Sequence, residues 1–497
     1  MRTLLADGRI HGGATAMLVE DGVIAWLGSG EPPAADAVVP LGGALVTPAF
    51  VDAHVHATST GLLRTGIDLT GCGSLADCLD AVRDRVRAEP VALLWGHGWD
   101  ETAWPENRPP SRPELDAVCD ATSVYLSRVD VHSALVSTAL LDRAPGARGA
   151  PGWSVTAPLA RDAHHHVRRA ALAAITPQQH RAAQLAFLRH AASMGIACVH
   201  ECGGPDISGA VDFADLLALS GELPQVVGYW GERDVPVDAA HGLAGDLFVD
   251  GALGSRTAAL HEPYADQPDT SGARYLTADE IAEHLAACTT AGVQGGFHVI
   301  GDAAVATVVE GFARAAKRVG AEALSGARHR LEHLEMIDAE QADQLAALGV
   351  VASVQPLFDA YWGGPEGMYA QRVGARAAAM NPFRTLHDAG VVLAFGSDAP
   401  VTAVDPWATV RAAVHHRTPG SGVPPDVAFA AHTTGGWHAA GSTDPLAGRL
   451  AVGAPATYAV WDAADLAGDL PRLDPDRPLP TCLRTVHDGT TIFEVES

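Results

Sequence analysis

The stretch VDAHVHATST, residues 51–60, places two histidines two positions apart directly after an apolar run. Side chains alternate between the two faces of a strand, so His54 and His56 project in the same direction while Val55 points away. Two imidazoles on one side of a strand can bind one metal ion. An HxH pair also arises by chance in a chain with 23 histidines, so the metal interpretation depends on partners further along the chain.

Three such partners stand at or near the ends of later apolar runs. His298 comes late in GGFHVIGD, His333 late in HRLEHLE, and Asp398 closes VVLAFGSDAP. Each has a structural alternative, because the histidines could be hydrogen-bonded core residues and Asp398 could cap a helix. Together with His54 and His56 they form a donor set that suits zinc or another borderline divalent ion. Water on such an ion ionises near pH 7 and can attack a carbonyl carbon.

Apolar strand-like segments alternate with alanine-rich helical segments through the middle of the chain. The predicted strands include GIACVHE, DLFVDG, GGFHVIG, HRLEHLE, VVASVQP and VVLAFGSDAP. This alternation is typical of a parallel sheet flanked by helices, and an eight-stranded barrel of this kind needs about 250 residues. Functional residues of such barrels lie at the carboxyl ends of the strands, where the polar residues above occur. We therefore predict an α/β fold built on a (β/α)8 TIM-type barrel.

Both ends of the chain and a long insertion depart from this pattern. Residues 1–48 contain short β-like runs broken by Asp-Gly turns, and residues 448–497 repeat that style. We predict that these two segments form one small composite β-sandwich and that the barrel occupies residues 49–447. Residues from about 61 to 175 are too many for one strand-to-helix connection, so we predict an inserted α+β subdomain there.

The composition excludes several classes of protein. The 497 residues are 47% hydrophobic and 19% charged, as in a soluble enzyme, and no window offers the roughly 20 apolar residues that cross a bilayer. Asp7 interrupts the N-terminus before a signal-peptide core could form, so we expect a cytoplasmic protein. The formal charge of −26 repels phosphate backbones. We expect a small-molecule substrate, no nucleic-acid or membrane partner, and a homodimer as the candidate assembly.

The joint set of motifs resembles the amidohydrolase superfamily of metal-dependent hydrolases, and within it the YtcJ-like branch, which includes N-substituted formamide deformylases. The stretches that carry the resemblance are TPAFVDAHVH, GHGWDE, RVDVHSALVSTALL, DGALGSRTA, FHVIGDAAV, RLEHLE and FGSDAPV. The resemblance covers nearly the whole chain and implies a distorted barrel, a β-sandwich from both termini and a domain inserted over the active site. It also implies Zn²⁺, as one or two ions, held by His54, His56, His298, His333 and Asp398. Asp398 would in addition act as the general base.

One position departs from the family pattern. Many relatives bridge two metals with a carboxylated lysine on the fourth strand, where this sequence has Asp246, and the only lysine, Lys317, lies in a predicted helix after the His298 strand. Asp246 precedes Asp250 by four residues, roughly 13 Å along a strand, so we expect it not to reach the metal. Glu201, at the end of the strand GIACVHE, is predicted to be the ligand instead, with helix capping as the alternative.

Further residues are expected to contact the substrate. Asp130 and His132 in RVDVHSALV match a family motif and are predicted to polarise the scissile carbonyl from the insertion, which makes His132 a second catalytic residue. Trp99 is predicted to form an apolar pocket wall, with a core position as the alternative.

The glycine-containing stretch DGALGSRTA supplies Asp250 and Arg256, both predicted to bind substrate. Arg256 would hold an anionic or carbonyl group, with a surface position as the alternative. Asp302, four residues after His298, is predicted to orient a ligand histidine or to cap the next helix.

The predicted reaction is hydrolysis of a carbon–nitrogen bond other than a peptide bond, in an amide, formamide or cyclic amide. Deamination of an amidine-like ring is the enzymatic alternative, because the same metal-activated water serves both reactions. A metal-free barrel that acts as a binding or scaffold protein is the alternative from another class. The presence of the HxH pair, both later histidines and the aspartate favours the enzyme.

Overall fold

Eight parallel strands form the central sheet of the computed structural model, which describes residues 1–88, 91–101, 104–128, 133–205, 207–219, 221–235 and 240–496. Their spatial order is their order along the chain. The strands are β1 (Phe50–Val55), β2 (Ile196–Gly203), β3 (Gln225–Trp230), β4 (Gly242–Leu243), β5 (Gln294–Val299), β6 (Arg330–His333), β7 (Val351–Val354) and β8 (Val392–Phe395).

The first and last strands meet just beyond β8, so the sheet nearly closes into a barrel. Val55 and Ala399 form a parallel bridge. The His56 N–H donates to the carbonyl of Ala399 at 2.9 Å, and the Asp398 N–H donates to the carbonyl of His54 at 2.8 Å. The predicted TIM-type barrel is confirmed.

Helices alternate with these strands and cover the sheet. They are Ala210–Leu217, Ala278–Ala291, Asp302–Val319, Ala321–Gly326, Ala339–Ala346, Pro356–Trp362, Met368–Val373, Phe383–Asp388, Pro406–Val414, Pro425–Ala431 and Thr434–Ala439. The sequence sets several of their ends. Helix Ala278–Ala291 begins with a capping box between Thr277 and Glu280 and ends at Gly292, which adopts φ 72°.

The position predicted for the strand at DLFVDG is wrong. The strand there is Gly242–Leu243, and Asp246 lies in the loop that follows it. The apolar residues of DLFVDG instead run beside the end of β5, because the His298 N–H donates to Leu247 and the Val249 N–H donates to His298, each at 3.0 Å. Asp246 is therefore at the carboxyl end of β4 rather than at the start of a strand.

Two further sheets are built from the ends of the chain, the first from N-terminal residues alone and the second from residues of both ends. One has the order Val23–Gly28, Ala16–Glu20, Arg2–Ala6, Ala37–Pro40, and the other Arg9–Ile10, Leu45–Pro48, Tyr458–Asp462, Thr481–His487, Thr490–Glu494. A shared buried core joins side chains of both sheets, among them Leu5, Met17, Ile24, Val46, Tyr458 and Val486. The predicted Asp-Gly hairpin turns are present at residues 21–22 and 488–489, where both residues have positive φ. The hairpin predicted at Asp7-Gly8 is not formed, because the flanking strands Arg2–Ala6 and Arg9–Ile10 belong to different sheets.

Residues Ala57–Phe187 form a compact unit of their own, distinct from the unit made of Met1–His56 and Leu188–Ser497. Its sheet has the order Leu159–Ala160, Ser133–Val136, Ser123–Arg128, Leu93–Trp99, Ile67–Asp68. The helices of this region are Ala57–Thr65, Leu75–Ala88, Arg112–Cys119, Thr138–Leu141, Arg161–Ala174 and Pro177–Ser193. Within the ranges that the structure describes, no helix combines the length and apolar character that crossing a membrane requires.

Candidate metal centre

The two histidines of the HxH pair face two aspartates at the mouth of the barrel. His54 Nε2 lies 3.6 Å from Asp246 Oδ1 and 3.4 Å from Asp398 Oδ1. His56 Nε2 lies 3.3 Å from Asp246 Oδ2 and 3.1 Å from Asp398 Oδ1. Strand alternation therefore sends both imidazoles to one side, as the spacing predicts.

The two later histidines reach the same carboxylate. His298 Nδ1 lies 3.5 Å from Asp246 Oδ1, and His333 Nε2 lies 3.9 Å from that oxygen. The ring centroids of His298 and His333 are 4.5 Å apart. Four imidazoles and two carboxylates thus converge from the ends of β1, β4, β5, β6 and β8.

The second ring nitrogen of each β1 histidine is held by an oxygen that can only accept. His54 Nδ1 lies 2.9 Å from Glu332 Oε2, and His56 Nδ1 lies 3.1 Å from the carbonyl oxygen of Cys202. Because a carboxylate or carbonyl has no hydrogen to give, the ring proton belongs on Nδ1 of both neutral histidines. In the neutral ring, which metal binding requires, Nε2 of His54 and His56 then carries the lone pair on the side of the aspartates.

The other two histidines are held in the same way. His333 Nδ1 lies 2.7 Å from Gln355 Oε1, and His298 Nε2 lies 3.3 Å from the carbonyl oxygen of Gly251. The lone pairs of His333 Nε2 and His298 Nδ1 therefore point towards Asp246. Ligand histidines usually donate their other N–H to an oxygen in this manner.

Several of the converging atoms are buried without a hydrogen-bond partner among the described residues: His54 Nε2, Asp246 Oδ1, His298 Nδ1 and Asp398 Oδ1. Leaving such atoms unpaired costs free energy, and a native structure rarely does so without reason. Three overlapping groups have ligand atoms within 4.8 Å of one another, namely His54, His56, Asp398; His54, Asp246, His333; and His54, Cys202, Glu332. Nitrogen and oxygen donors in this arrangement fit a divalent cation.

The electrostatics of the site favour cations. Burial disfavours an imidazolium at His56, but the adjacent carboxylates of Asp246 and Asp398 outweigh burial and hold the pKa of His56 well above its usual value. The same balance raises the pKa of His333 to about 9. Burial also opposes ionisation of Asp246, yet the neighbouring histidines hold its pKa well below the usual value. The centre therefore binds positive charge, either as protons or as a metal.

The backbone is bent sharply at two of the donor residues. His333 has φ 73° and Asp398 has φ 53°, in the left-handed region that residues other than glycine seldom adopt. Glu332 and His333 are consecutive, yet Glu332 contacts His54 and His333 faces Asp246. A regular strand would send consecutive side chains to opposite faces, so the positive φ brings the His333 side chain to the site. Strain of this kind is typical of functional positions.

Aromatic rings flank two of the histidines. The Phe248 ring centroid lies 4.7 Å from that of His298, and the Phe248 side chain is 38% exposed. Phe358 stacks on His333, with centroids 5.8 Å apart and an interplanar angle of 9°. Part of the surroundings of the centre is therefore apolar.

The expectation that Asp246 cannot reach the centre is wrong. The preceding strand, β4, ends at Leu243, three residues before Asp246. Asp246 therefore already lies at the mouth of the barrel, and its short side chain does not have to span the length of a strand. Lys317 lies in helix Asp302–Val319, as predicted.

Among the described residues, the groups of converging donor atoms do not include Glu201. Glu201 is buried on β2 and pairs with Val55, whose side chain points away from the HxH face. Its neighbour His200, expected to pack outside, instead lies inside the barrel with Nδ1 3.1 Å from Arg330 Nη1. A register shift between Val199 and Glu201 accompanies this change of phase. The sequence pattern assigns the last residues of β2 to the wrong faces by one position, and for this reason it favours Glu201 as a ligand.

Three predicted residues near DGALGSRTA have partners other than the centre. Asp250 is fully buried and accepts hydrogen bonds from three backbone N–H groups, those of Ala259, Ile300 and Gly301. Arg256 forms an ion pair with Asp266 at 2.7 Å. Asp302 accepts a hydrogen bond from the His261 N–H at 2.9 Å. Asp250 and Asp302 thus anchor loops, and Arg256 binds an acidic side chain.

The remaining predictions concern the inserted unit. Trp99 is 1% exposed in a core cluster of that unit, and its indole N–H donates to the carbonyl of Leu126 at 2.9 Å. These contacts give Trp99 the core position that was its alternative, in place of a pocket wall. Asp130 and His132 lie outside the described residues.

Sequence reasoning missed the residues that hold the donor histidines in place, above all Glu332, Arg330 and Gln355. A signal was present in RLEHLE, where two charged residues alternate on a strand that is otherwise buried. Buried charged groups require partners, so this alternation is the signal from which the pairing of Arg330 with Glu332 could be predicted.

A parallel (β/α)8 barrel with histidines and aspartates converging at the carboxyl ends of its strands defines a class, the barrel hydrolases that use divalent metals. The chain belongs to the amidohydrolase family, whose model matches residues 37–493. The predicted membership and the predicted class of enzyme, acting on carbon–nitrogen bonds other than peptide bonds, are confirmed.

Two curated relatives and one solved structure illustrate the similarity. The putative amidohydrolase YtcJ of Bacillus subtilis (strain 168) is 27% identical over 436 residues, covering 80% of each chain. The N-substituted formamide deformylase of Arthrobacter pascens is 24% identical over 534 residues, covering 97% of this chain and 95% of that protein. An uncharacterized metal-dependent hydrolase from Pyrococcus furiosus has the same fold, with TM-score 0.75, 24% identity and coverage of 93% and 98%.

Proposed function

We propose that the protein hydrolyses a small amide, formamide or cyclic amide with water activated at a Zn²⁺ centre of one or two ions. The observation that carries the proposal is the convergence of buried lone pairs from His54, Asp246, His298 and Asp398 that have no hydrogen-bond partner among the described residues. Unpaired buried atoms of this kind cost free energy unless a cation is bound, so the arrangement disfavours a metal-free scaffold protein.

The proposed ligand set is His54, His56, His298, His333, Asp246 and Asp398. When bound, a divalent cation supplies Lewis-acid chemistry that lowers the pKa of water and polarises a carbonyl group. Asp246 supports one ion or two, because Oδ1 faces His54, His298 and His333 while Oδ2 faces His56. A two-sided carboxylate at this position takes the place of the bridging lysine.

Asp398 is proposed as the general base. Burial opposes its ionisation, but the neighbouring histidines, first among them His54 and then His56, outweigh burial and lower its pKa, so it is an ionised acceptor at neutral pH. Its position beside the histidines lets the carboxylate take the proton from the attacking water and deliver it to the leaving nitrogen. His132 and Asp130 remain predictions for polarising the scissile carbonyl, as do the homodimer and the cytoplasmic location.

The substrate class draws on two observations. Phe248 and Phe358 make the surroundings of His298 and His333 apolar, which favours a neutral substrate with an apolar substituent. A relative is an N-substituted formamide deformylase, so N-alkyl and N-aryl formamides are the first compounds to assay.

The test is metal removal and restoration with these formamides as substrates. We expect chelation to abolish hydrolysis, and added Zn²⁺ to restore it, with peptides left uncleaved. Full activity of a preparation shown to be free of metal would contradict the proposal.

A further inference from the structure

An ion pair with no exposed surface lies inside the barrel. Arg330 and Glu332 alternate on β6, and both are 0% exposed. Arg330 Nε donates to Glu332 Oε1 at 2.6 Å, and Nη2 donates to Glu332 Oε2 at 3.1 Å. Two donors on the two oxygens of one carboxylate hold Glu332 in a single orientation.

Arg330 is itself fixed by groups from four other strands. The guanidinium donates to the carbonyl of Ala53 at 2.6 Å and to Ser353 Oγ at 3.0 Å, and lies 3.1 Å from His200 Nδ1. It also lies over the Tyr229 ring, 4.1 Å from its centroid. Since these groups belong to β1, β7, β2 and β3, the guanidinium is held from several sides and cannot follow Glu332 if Glu332 moves.

Glu332 in turn holds one proposed metal ligand, His54. Glu332 Oε2 accepts the hydrogen bond from His54 Nδ1 at 2.9 Å, which leaves the lone pair on Nε2. His54 is common to all three groups of converging atoms, and in one of them its partners are Cys202 and Glu332. The carboxylate also balances the Arg330 charge, which would otherwise repel a cation at the centre.

We propose that Glu332, held by Arg330, is a positioning residue for the metal centre, an inference that rests on the proposed function. By fixing the tautomer and orientation of His54, Glu332 sets the affinity of the centre for a divalent cation. A pair that merely fills the barrel would contribute to the stability of the fold and leave metal affinity unchanged. The two roles therefore differ in what a substitution changes.

The experiment measures Zn²⁺ affinity by competition with a chelator, on full-length protein freed of metal. Glu332→Gln keeps the size of the side chain but has one accepting oxygen in place of two, so it cannot accept from both Arg330 Nε and His54 Nδ1. The control is Asp359→Asn, which alters another buried carboxylate, one that accepts from the Arg417 N–H at 2.7 Å. We expect Glu332→Gln to lower Zn²⁺ affinity by about 10- to 100-fold, and Asp359→Asn to leave it at the wild-type value.

A second variant covers the case in which Glu332→Gln does not fold, since it leaves Arg330 buried and unpaired. Arg330→Met combined with Glu332→Leu removes both charges and the acceptor of His54 Nδ1. Hydrophobic replacement of a buried ion pair is often tolerated, and the same loss of affinity is expected. Wild-type affinity in a folded variant, with only a lower unfolding midpoint, would overturn the inference. Failure of the wild-type protein itself to bind Zn²⁺ would instead contradict the proposed function.

Discussion

At the scale of single residues, the candidate centre is arranged around Asp246. The two oxygens of Asp246 face four histidines at 3.3–3.9 Å. A short carboxylate can do this because the loop after β4 brings its backbone to the mouth of the barrel.

Protons and metal compete for the same imidazoles, which predicts a pH dependence. The pKa of His333 is raised to about 9 in the metal-free protein, where burial opposes but Asp246 favours the charged ring. Metal binding requires the neutral ring, so apparent Zn²⁺ affinity should rise with pH from neutrality to about pH 9 and then level off. Calorimetry at pH 7 in two buffers of different ionisation enthalpy should show release of at least one proton per chain. Binding without proton release would contradict this.

At the scale of elements, the loops that follow the strands are held by buried carboxylates. Asp250 accepts three backbone N–H groups and so ties the loop after β4 to the loop after β5. A glycine-containing loop with little regular structure needs such an anchor if Asp246 and His298 are to keep their places.

Replacing Asp250 by Ala should destabilise the fold. Three buried N–H groups would lose their acceptor, at about 1–3 kcal/mol each, so the free energy of unfolding in urea should fall by about 3 kcal/mol or more. Arg256→Ala, which removes a partly exposed ion pair with Asp266, should change it by about 1 kcal/mol or less. Equal effects of the two substitutions would show that Asp250 is no anchor.

At the scale of the whole molecule, the order of the barrel strands and five of the converging donor residues could be predicted from the sequence. His54, His56, His298, His333 and Asp398 each follow an apolar run, and that placement survives small errors in strand ends. The phase of β2 could not be predicted, because a register shift near Glu201 reverses the faces of the last residues. The end of β4 could not be predicted either, because only two residues pair there and the apolar residues of the following loop have the pattern of a strand.

The most direct test of the central claim is the number of metal ions per chain, measured by mass spectrometry on protein purified without chelators. The variants are Asp246→Asn and, as the matched control, Glu201→Gln, which alters a buried carboxylate on the neighbouring part of the barrel. We predict that Asp246→Asn loses at least one ion per chain relative to wild type while Glu201→Gln keeps the wild-type number. Wild-type metal content in Asp246→Asn, with loss in Glu201→Gln, would contradict the assignment of Asp246 to the centre.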